Sequence, residues 1–279
     1  MNSILSFLSI IRPLNIFTAI SCILVVYFIT DVKNLTLIIY PSIIIGCYMA
    51  AGNILNDWID IEADKINKPS RPLVIYDVNH YLLFSMVFLL FVIGSWITIY
   101  IDVYAMYVAI FFAMPCIISY EIVFKRSPII GNIIISSLVG VVFIFAELSF
   151  HQSISVTWRA AVLAFFLNLI REMIKDIEDI EGDAQSQYNT FPIIAGIPTT
   201  IVVLRIITIF FIILSLLPIF TSYYLWYYIP LIVFLIHLPL LYIIIRLTDN
   251  ITPKECAKYS KVLKLLIING IITIVISTI

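Results

Sequence analysis

Residues 35–72 read LTLIIYPSIIIGCYMAAGNILNDWIDIEADKINKPSRP. An apolar run fills 35–55, and the chain then turns abruptly polar. Four carboxylates, Asp57, Asp60, Glu62 and Asp64, are followed by three cations, Lys65, Lys68 and Arg71. An apolar run of about 20 residues is long enough to cross the hydrocarbon core of a bilayer as a helix. If the helix continues into the polar part, Asn53, Asp57, Asp60 and Asp64 fall within an arc of roughly 60°. Each neighbouring pair of like charges on such a stripe costs ~0.2–0.5 kcal/mol in an isolated helix. A bound cation removes that cost.

The stretch has an echo. Residues 171–183 read REMIKDIEDIEGD, so Asp176, Asp179 and Asp183 repeat the spacing of Asp57, Asp60 and Asp64. Both copies have the form D-x-x-D-I-E-x-D, with Glu181 standing where Glu62 stands. A single acidic cluster is normally a solvated face; two matched copies, each closing an apolar run, point to a shared task and to an internal duplication.

Composition sets the class. The chain is 62% hydrophobic and 12% charged, against about 45–50% and about 25% in soluble domains. It reads as an integral membrane protein built from helices, because its apolar runs lack the alternation of a barrel wall. The net charge of −1 says nothing about a nucleic-acid partner, but no basic face is long enough to track a phosphate backbone, so none is expected. Cys22, Cys47, Cys116 and Cys256 have no zinc or redox spacing and read as small hydrophobes. No removable signal peptide is expected. Ile4, Leu5, Phe7, Leu8 and Ile11 suggest a short apolar face lying at the interface.

Apolar runs at about 14–30, 35–55, 81–101, 103–123, 129–148, 156–174, 199–221, 226–246 and 262–279 predict nine spans. Asp31, Asp102, Ser149 to Ser155 and Ser222 fall in short connections on one side. The longer connections, 56–80, 124–128, 175–198 and 247–261, fall on the other. Lys and Arg concentrate on that second side, with Lys33 and Arg159 opposite, so the positive-inside rule makes the longer loops, and both acidic stretches, cytoplasmic. With connections this short, residues 1–279 are expected to form one domain.

Hard divalent cations prefer oxygen ligands, and Mg²⁺ typically takes one or two carboxylates plus substrate phosphates. Two facing stripes suit Mg²⁺ ions that bind a diphosphate, with Lys68, Arg71, Lys125, Arg126, Arg171 and Lys175 neutralising the remaining charge. That matches the ionisation of an allylic diphosphate. The 19 Phe and 16 Tyr add little, since lipid-facing belts account for most aromatics in a membrane protein.

The run AGNILNDWIDIEADKINKPSRPL resembles the first aspartate-rich motif of the UbiA superfamily of intramembrane prenyltransferases, N-D-x-x-D-x-x-x-D followed by R-P. KDIEDIEGD, with Thr190 and Pro192 beyond it, resembles the second, and IRPLN at Ile11 to Asn15 is similar to a family signature before the first span. The resemblance implies an all-α polytopic fold of nine transmembrane helices around a central cavity, both motifs at the cytoplasmic side. It implies that Asn56, Asp60 and Asp64, with Asp57 beside them, hold one Mg²⁺–diphosphate contact, and Asp176, Asp179 and Asp183 the other. The family's Tyr-x-x-x-Lys element is represented by Tyr120 followed by Lys125 and Arg126, one residue late. Asn53 and Asn56, with the second motif, are most similar to the archaeal branch, whose members transfer geranylgeranyl from its diphosphate to geranylgeranylglyceryl phosphate. Aromatic acceptors, as in quinone, haem or chlorophyll synthesis, are the competing expectation. The substrates so implied are an isoprenoid diphosphate and a lipid acceptor.

A cation-coupled transporter is a reading of another class, because intramembrane carboxylates also mark ion pathways. It predicts carboxylates near mid-bilayer, whereas these sit at span ends and run into basic loops. Among other polar residues, Glu121 and Glu147 read as span-end groups with local partners. Glu172 stands to Asp176 as Asn53 stands to Asp57 and is a candidate to support the metal site. His237 reads as a satisfied core histidine, Asn132 and Asn168 as bridges between helices, and Lys254, Lys258, Lys261 and Lys264 as a run meeting anionic headgroups.

Overall fold

The computed structural model describes residues 9–76, 78–218 and 225–278. The expected interfacial face at Ile4, Leu5, Phe7 and Leu8, and the connection at Ser222, lie outside them. All regular structure among the described residues is helical. Long segments follow each apolar run: α1 (Pro13–Ile29), α2 (Ile39–Ile59), α5 (His80–Ile97), α6 (Val103–Ile122), α7 (Ile130–Phe150), α8 (Trp158–Glu178), α11 (Ile197–Leu216), α12 (Tyr228–Arg246) and α13 (Pro253–Thr278). Short helices α3 (Ile61–Asn67) and α4 (Pro72–Ile75) follow α2, while α9 (Ile180–Gln185) and α10 (Phe191–Ala195) follow α8.

Seven of these segments are long and apolar enough to cross a membrane. The other two are α1, with 17 residues, and α8, whose last two turns carry Arg171, Glu172, Lys175 and Asp176. The chain is a multi-pass membrane protein. Phe84, Phe88, Trp96, Phe111, Ile206 and Phe234 face outward, as lipid contact requires.

Two spans contain a wider π turn, Val108–Ala113 in α6 and Val233–His237 in α12. Each lies just ahead of a proline, Pro115 and Pro239. A proline inside a helix has no N–H to donate and its ring crowds the preceding turn. Widening that turn by one residue accommodates the ring without ending the span.

Helix association in lipid relies on close packing rather than on a hydrophobic drive. Accordingly, α5 meets α2 where a Cβ on Gly94 would stand 2.7 Å from the Tyr48 ring, and the Tyr48 hydroxyl bonds Ser95 Oγ at 2.7 Å. In the same way α7 meets α8 where a Cβ on Gly140 would stand 2.6 Å from the Ala161 carbonyl. Several buried polar groups are satisfied locally, although Ser42 Oγ, Thr190 Oγ1, Thr208 Oγ1 and Arg171 Nε are buried without a hydrogen-bond partner among the described residues. The Glu147 carboxylate accepts from the backbone of Ser155, Val156 and Thr157 and from two hydroxyls, closing the α7–α8 loop. His237 Nε2 pairs with Ser215 Oγ at 2.8 Å, and Asn168 donates to Ser136 at 3.3 Å across α8 and α7.

Because the obstacle at Gly140 is a backbone carbonyl that cannot rotate away, Gly140→Val should force α7 and α8 apart. The expected cost is ~1–3 kcal/mol, read as a lowered thermal midpoint of the detergent-purified protein. An unchanged midpoint would contradict the close approach.

Candidate active site

The acidic stretches do not continue their spans as straight helices. α2 stops at Ile59 and α3 starts at Ile61, with Asp60 between them at φ −89°, ψ 8°. α8 stops at Glu178 and α9 starts at Ile180, with Asp179 at φ −93°, ψ 5°. The break falls on the same residue of each repeat. Through it the chain keeps its bonding, Asp64 N to the Asp60 carbonyl at 2.8 Å and Asp183 N to the Asp179 carbonyl at 3.1 Å. The expected single acidic arc is therefore corrected to a bend, which turns α3 toward α9.

Asn67 locks the two together. Its amide donates to the Asp179 carbonyl at 2.9 Å and accepts from Gly182 N at 3.0 Å. Gly182 is required there, since a Cβ would stand 2.4 Å from the Asn67 amide.

Between the motifs lies a polar cavity of about 590 Å³ including its open mouth, with six carboxylates (Asp60, Asp64, Glu172, Asp176, Asp179, Asp183) and four cations (Lys68, Arg71, Lys125, Lys175) in its wall. Lys68 reaches across to Asp179, 2.7 and 2.6 Å from its two oxygens. Arg71 pairs with Asp64 and, at 3.0 Å, with Asp57. Lys125 pairs with Asp60 and lies 3.3 Å from Glu121. Lys175 meets Glu172 at 3.4 Å. Asp176 accepts from Asn132 at 2.8 Å, and neither Asp176 nor Asp183 forms an ion pair among the described residues.

Charge crowding shows in the titration of these groups. Burial, with Asp179 and Asp60 nearby, pushes the Asp183 carboxyl from 3.8 up to about 7. Burial also raises Asp64 against the pull of Arg71. Burial opposes the charge on Lys125, but Glu121 and Asp60 outweigh it and hold its pKa above the ordinary value.

The cavity gathers Asn56, Asp60, Asp64, Lys68, Arg71, Tyr120, Lys125, Lys175, Asp176, Asp179 and Asp183 from the expected set. It does not include Asn53, Asp57, Arg126 or Arg171 in its wall. Asn53 donates to the Ile11 carbonyl at 2.8 Å, Asp57 is held by Arg12 and Arg71, and Arg126 lies 5.0 Å over the Tyr188 ring. Lys125 arrives one residue late after Tyr120 because α6 has already unwound into a 3₁₀ turn at Phe124–Arg126, and that turn returns it to the cavity.

Five participants were not expected from sequence as parts of the site. Arg12 sits in left-handed backbone, φ 56°, and bonds Asn56 at 2.8 Å and Asp57. Such backbone costs a non-glycine residue roughly 1–3 kcal/mol, which the carboxylate contact offsets. Glu121 accepts from the Asn56 amide at 3.3 and 3.2 Å. Tyr188 donates to Asp60 at 3.3 Å, and Asn132 and Asn67 act as described above. The IRPLN signature was the one sequence signal for Arg12. The rest had none, because their partners are distant in the chain.

Two apolar cavities lie on the membrane side of the site. One, about 450 Å³, is bounded by Phe143 of α7, Leu163 and Leu167 of α8, and Phe211, Tyr228 and Ile271. The other, about 490 Å³, is bounded by Tyr48 and Met49 of α2, Ala109 and Ile117 of α6, and Phe145 of α7.

This arrangement of helices and paired acidic motifs has counterparts. Residues 16–268 match the model of the UbiA prenyltransferase family. The digeranylgeranylglyceryl phosphate synthase of Saccharolobus solfataricus is 28% identical over 99% of this chain and 98% of its own. A solved structure of a digeranylgeranylglyceryl phosphate synthase in membranes superposes with a TM-score of 0.76 at 26% identity, covering 100% of this chain and 99% of that one. A UbiA homologue from Archaeoglobus fulgidus, solved with DMAPP and Mg²⁺, shares the fold with a TM-score of 0.65 at 17% identity, covering 96% and 99%. The chain belongs to the UbiA prenyltransferase family. It is an enzyme, a prenyltransferase, which sets aside the transporter reading.

Asn67→Ala removes both bonds of the α3–α9 lock and should cost ~1–3 kcal/mol, measured as a fall in thermal midpoint. Asp183 supplies a pH test. Between 3.8 and about 7 the folded chain holds a proton there that the unfolded chain has released, so stability falls as pH rises through that window. With a chelator present, Asp183→Asn should flatten the fall between about pH 4 and about pH 7. An equal fall in both proteins would place the titrating group elsewhere.

Proposed function

We propose that the chain transfers the geranylgeranyl group of geranylgeranyl diphosphate to the free hydroxyl of geranylgeranylglyceryl phosphate, forming the second ether bond of an archaeal membrane lipid. The observation that carries this reading is one polar cavity, walled by both acidic motifs and four cations, at the ends of the same helices, α2, α6, α7 and α8, whose spanning parts bound the apolar cavities. A diphosphate fits the first and an isoprenoid chain the others. The relatives named as digeranylgeranylglyceryl phosphate synthases favour this acceptor over an aromatic one.

The donor set suits Mg²⁺, which the Archaeoglobus fulgidus homologue contains. Asn56, Asp60, Asp64, Asp176, Asp179 and Asp183 offer only amide or carboxylate donors to one cavity. Among the described residues no group of three His, Cys, Asp or Glu stands close enough to hold an ion alone. A hard cation in such a cavity takes one or two carboxylates and completes its shell with substrate phosphate. When bound, Mg²⁺ neutralises charge on the departing pyrophosphate.

The chain's own residues do the rest. Lys68, Arg71, Lys125 and Lys175 donate to phosphate oxygens and hold the leaving group. The C–O bond to the diphosphate breaks, the allylic carbon is held in apolar surroundings, and the acceptor oxygen bonds to it. The hydroxyl proton goes to a site carboxylate or to pyrophosphate, a transfer that contributes ~10²–10⁴-fold. The concentration of Lys and Arg at this end of the helices supports a site on the cytoplasmic face by the positive-inside rule, and the whole chain is read as one domain.

The test is product analysis with the purified protein, Mg²⁺, labelled geranylgeranyl diphosphate, and either geranylgeranylglyceryl phosphate or 4-hydroxybenzoate. A Mg²⁺-dependent diether is expected; a prenylated aromatic would keep the mechanism and replace the acceptor. Asp60→Asn and Asp179→Asn should each lower turnover by about 10²-fold or more with the protein still folded. Near-normal turnover in both would refute the site.

A further inference from the structure

The cations at this end of the molecule fall into two sets. Lys68, Arg71, Lys125 and Lys175 line the polar cavity; Arg12, Arg171 and Lys264 do not. The second set meets where α1, α8 and α13 pack together. Lys264 of α13 donates to Asn15 Oδ1 of α1 and makes no ion pair among the described residues. Arg12 and Arg171 both lie close enough to act on its charge. Arg171 turns one guanidinium nitrogen to Glu172, while its Nε is buried without a hydrogen-bond partner.

Position makes this set unlike the lysines before it. Lys254, Lys258 and Lys261 are exposed, whereas Lys264 is half-buried one turn further into α13. A lysine drawn into a membrane helix beside two arginines is costly unless an anion reaches it. Arg12 links the cluster to the diphosphate cavity, because it bonds Asn56, which lines that cavity.

We propose that Lys264 and Arg171, flanked by Arg12, form a second anion site that takes the phosphomonoester of the lipid acceptor. The proposal rests on the reading that the acceptor is a phosphorylated glycerol lipid. In such a lipid only a few bonds separate phosphate from free hydroxyl. An acceptor phosphate held at this cluster therefore keeps its hydroxyl beside the cavity where the allylic diphosphate lies. The two anions of the reaction are bound by separate cations, so acceptor binding does not compete with diphosphate binding.

The experiment compares geranylgeranylglyceryl phosphate with dephosphorylated geranylgeranylglycerol, using the full chain in vesicles of neutral phosphatidylcholine with Mg²⁺ and geranylgeranyl diphosphate. The unaltered chain should favour the phosphorylated acceptor by about tenfold to a hundredfold in kcat/KM; a ratio near one overturns the site without any variant. Lys264→Gln should raise KM for the phosphorylated acceptor by about tenfold and leave that for the diphosphate nearly unchanged, with Lys264→Arg restoring it. Equal rises in both KM values, or none, overturn the proposal. A phosphate of bulk lipid would bind by the same chemistry. In that case added phosphatidylglycerol would stimulate the unaltered chain and not Lys264→Gln, with acceptor KM the same in both, and the assignment to the acceptor fails. Prenylation of 4-hydroxybenzoate in place of both glycerol lipids would instead overturn the acceptor reading, and this site with it.

Discussion

The polar end of this molecule is organised by the need to give every buried carboxylate a counter-charge. Asp57, Asp60, Asp64, Glu121 and Glu172 are all buried where helices leave the membrane. An unpaired ion in such a place costs several kcal/mol. The partners come from far apart in the chain: Arg12 ahead of α1, Lys68 and Arg71 after α3, Lys125 after α6, Lys175 in α8. Pairing them ties loops to helix ends that apolar packing alone would leave free. The membrane-spanning part is held differently, by glycine contacts such as Gly94 on Tyr48 and Gly140 on Ala161.

The two repeats share a backbone and differ in electrostatics. Both break at the second aspartate of their D-x-x-D-I-E-x-D pattern. In the first, Asp57, Asp60 and Asp64 each have a cation. In the second only Asp179 does, and it borrows Lys68 from the first. Asp176 and Asp183 have no ion pair among the described residues, and of Arg12, Arg171 and Lys264 only Lys264 has none, since Arg12 pairs with Asp57 and Arg171 with Glu172. The two repeats are thus alike in backbone and unlike in how their charge is balanced.

Much of this was legible in the residues. Apolar runs marked each long helix, since hydrophobic length alone decides a span, and the repeated motif marked where two of them end. The bend at Asp60 and Asp179 was not legible: D-x-x-D-I-E contains no glycine or proline, and its spacing reads as unbroken helix. Lys125 looked one residue out of place because spacing counts residues and cannot see that α6 has unwound. Glu121, Asn132 and Tyr188 reach the site through folding, and nothing local to them announces it; Arg12 alone was marked, by the IRPLN signature. Asn53 and Asp57 were assigned to the cavity on helical phase. Competition from Arg12 and the Ile11 carbonyl turns them instead to the foot of α1.

Helix α7 stands between the two apolar cavities, with Phe143 facing one and Phe145 the other. A wall one helix thick makes the two compartments independently adjustable. Trimming Phe145 enlarges the space beside α2 and α6 and leaves the space beside α11 and α12 its original size. The volume of either apolar compartment is therefore set by single side chains on one face of α7, and a change on one face leaves the other compartment as it was.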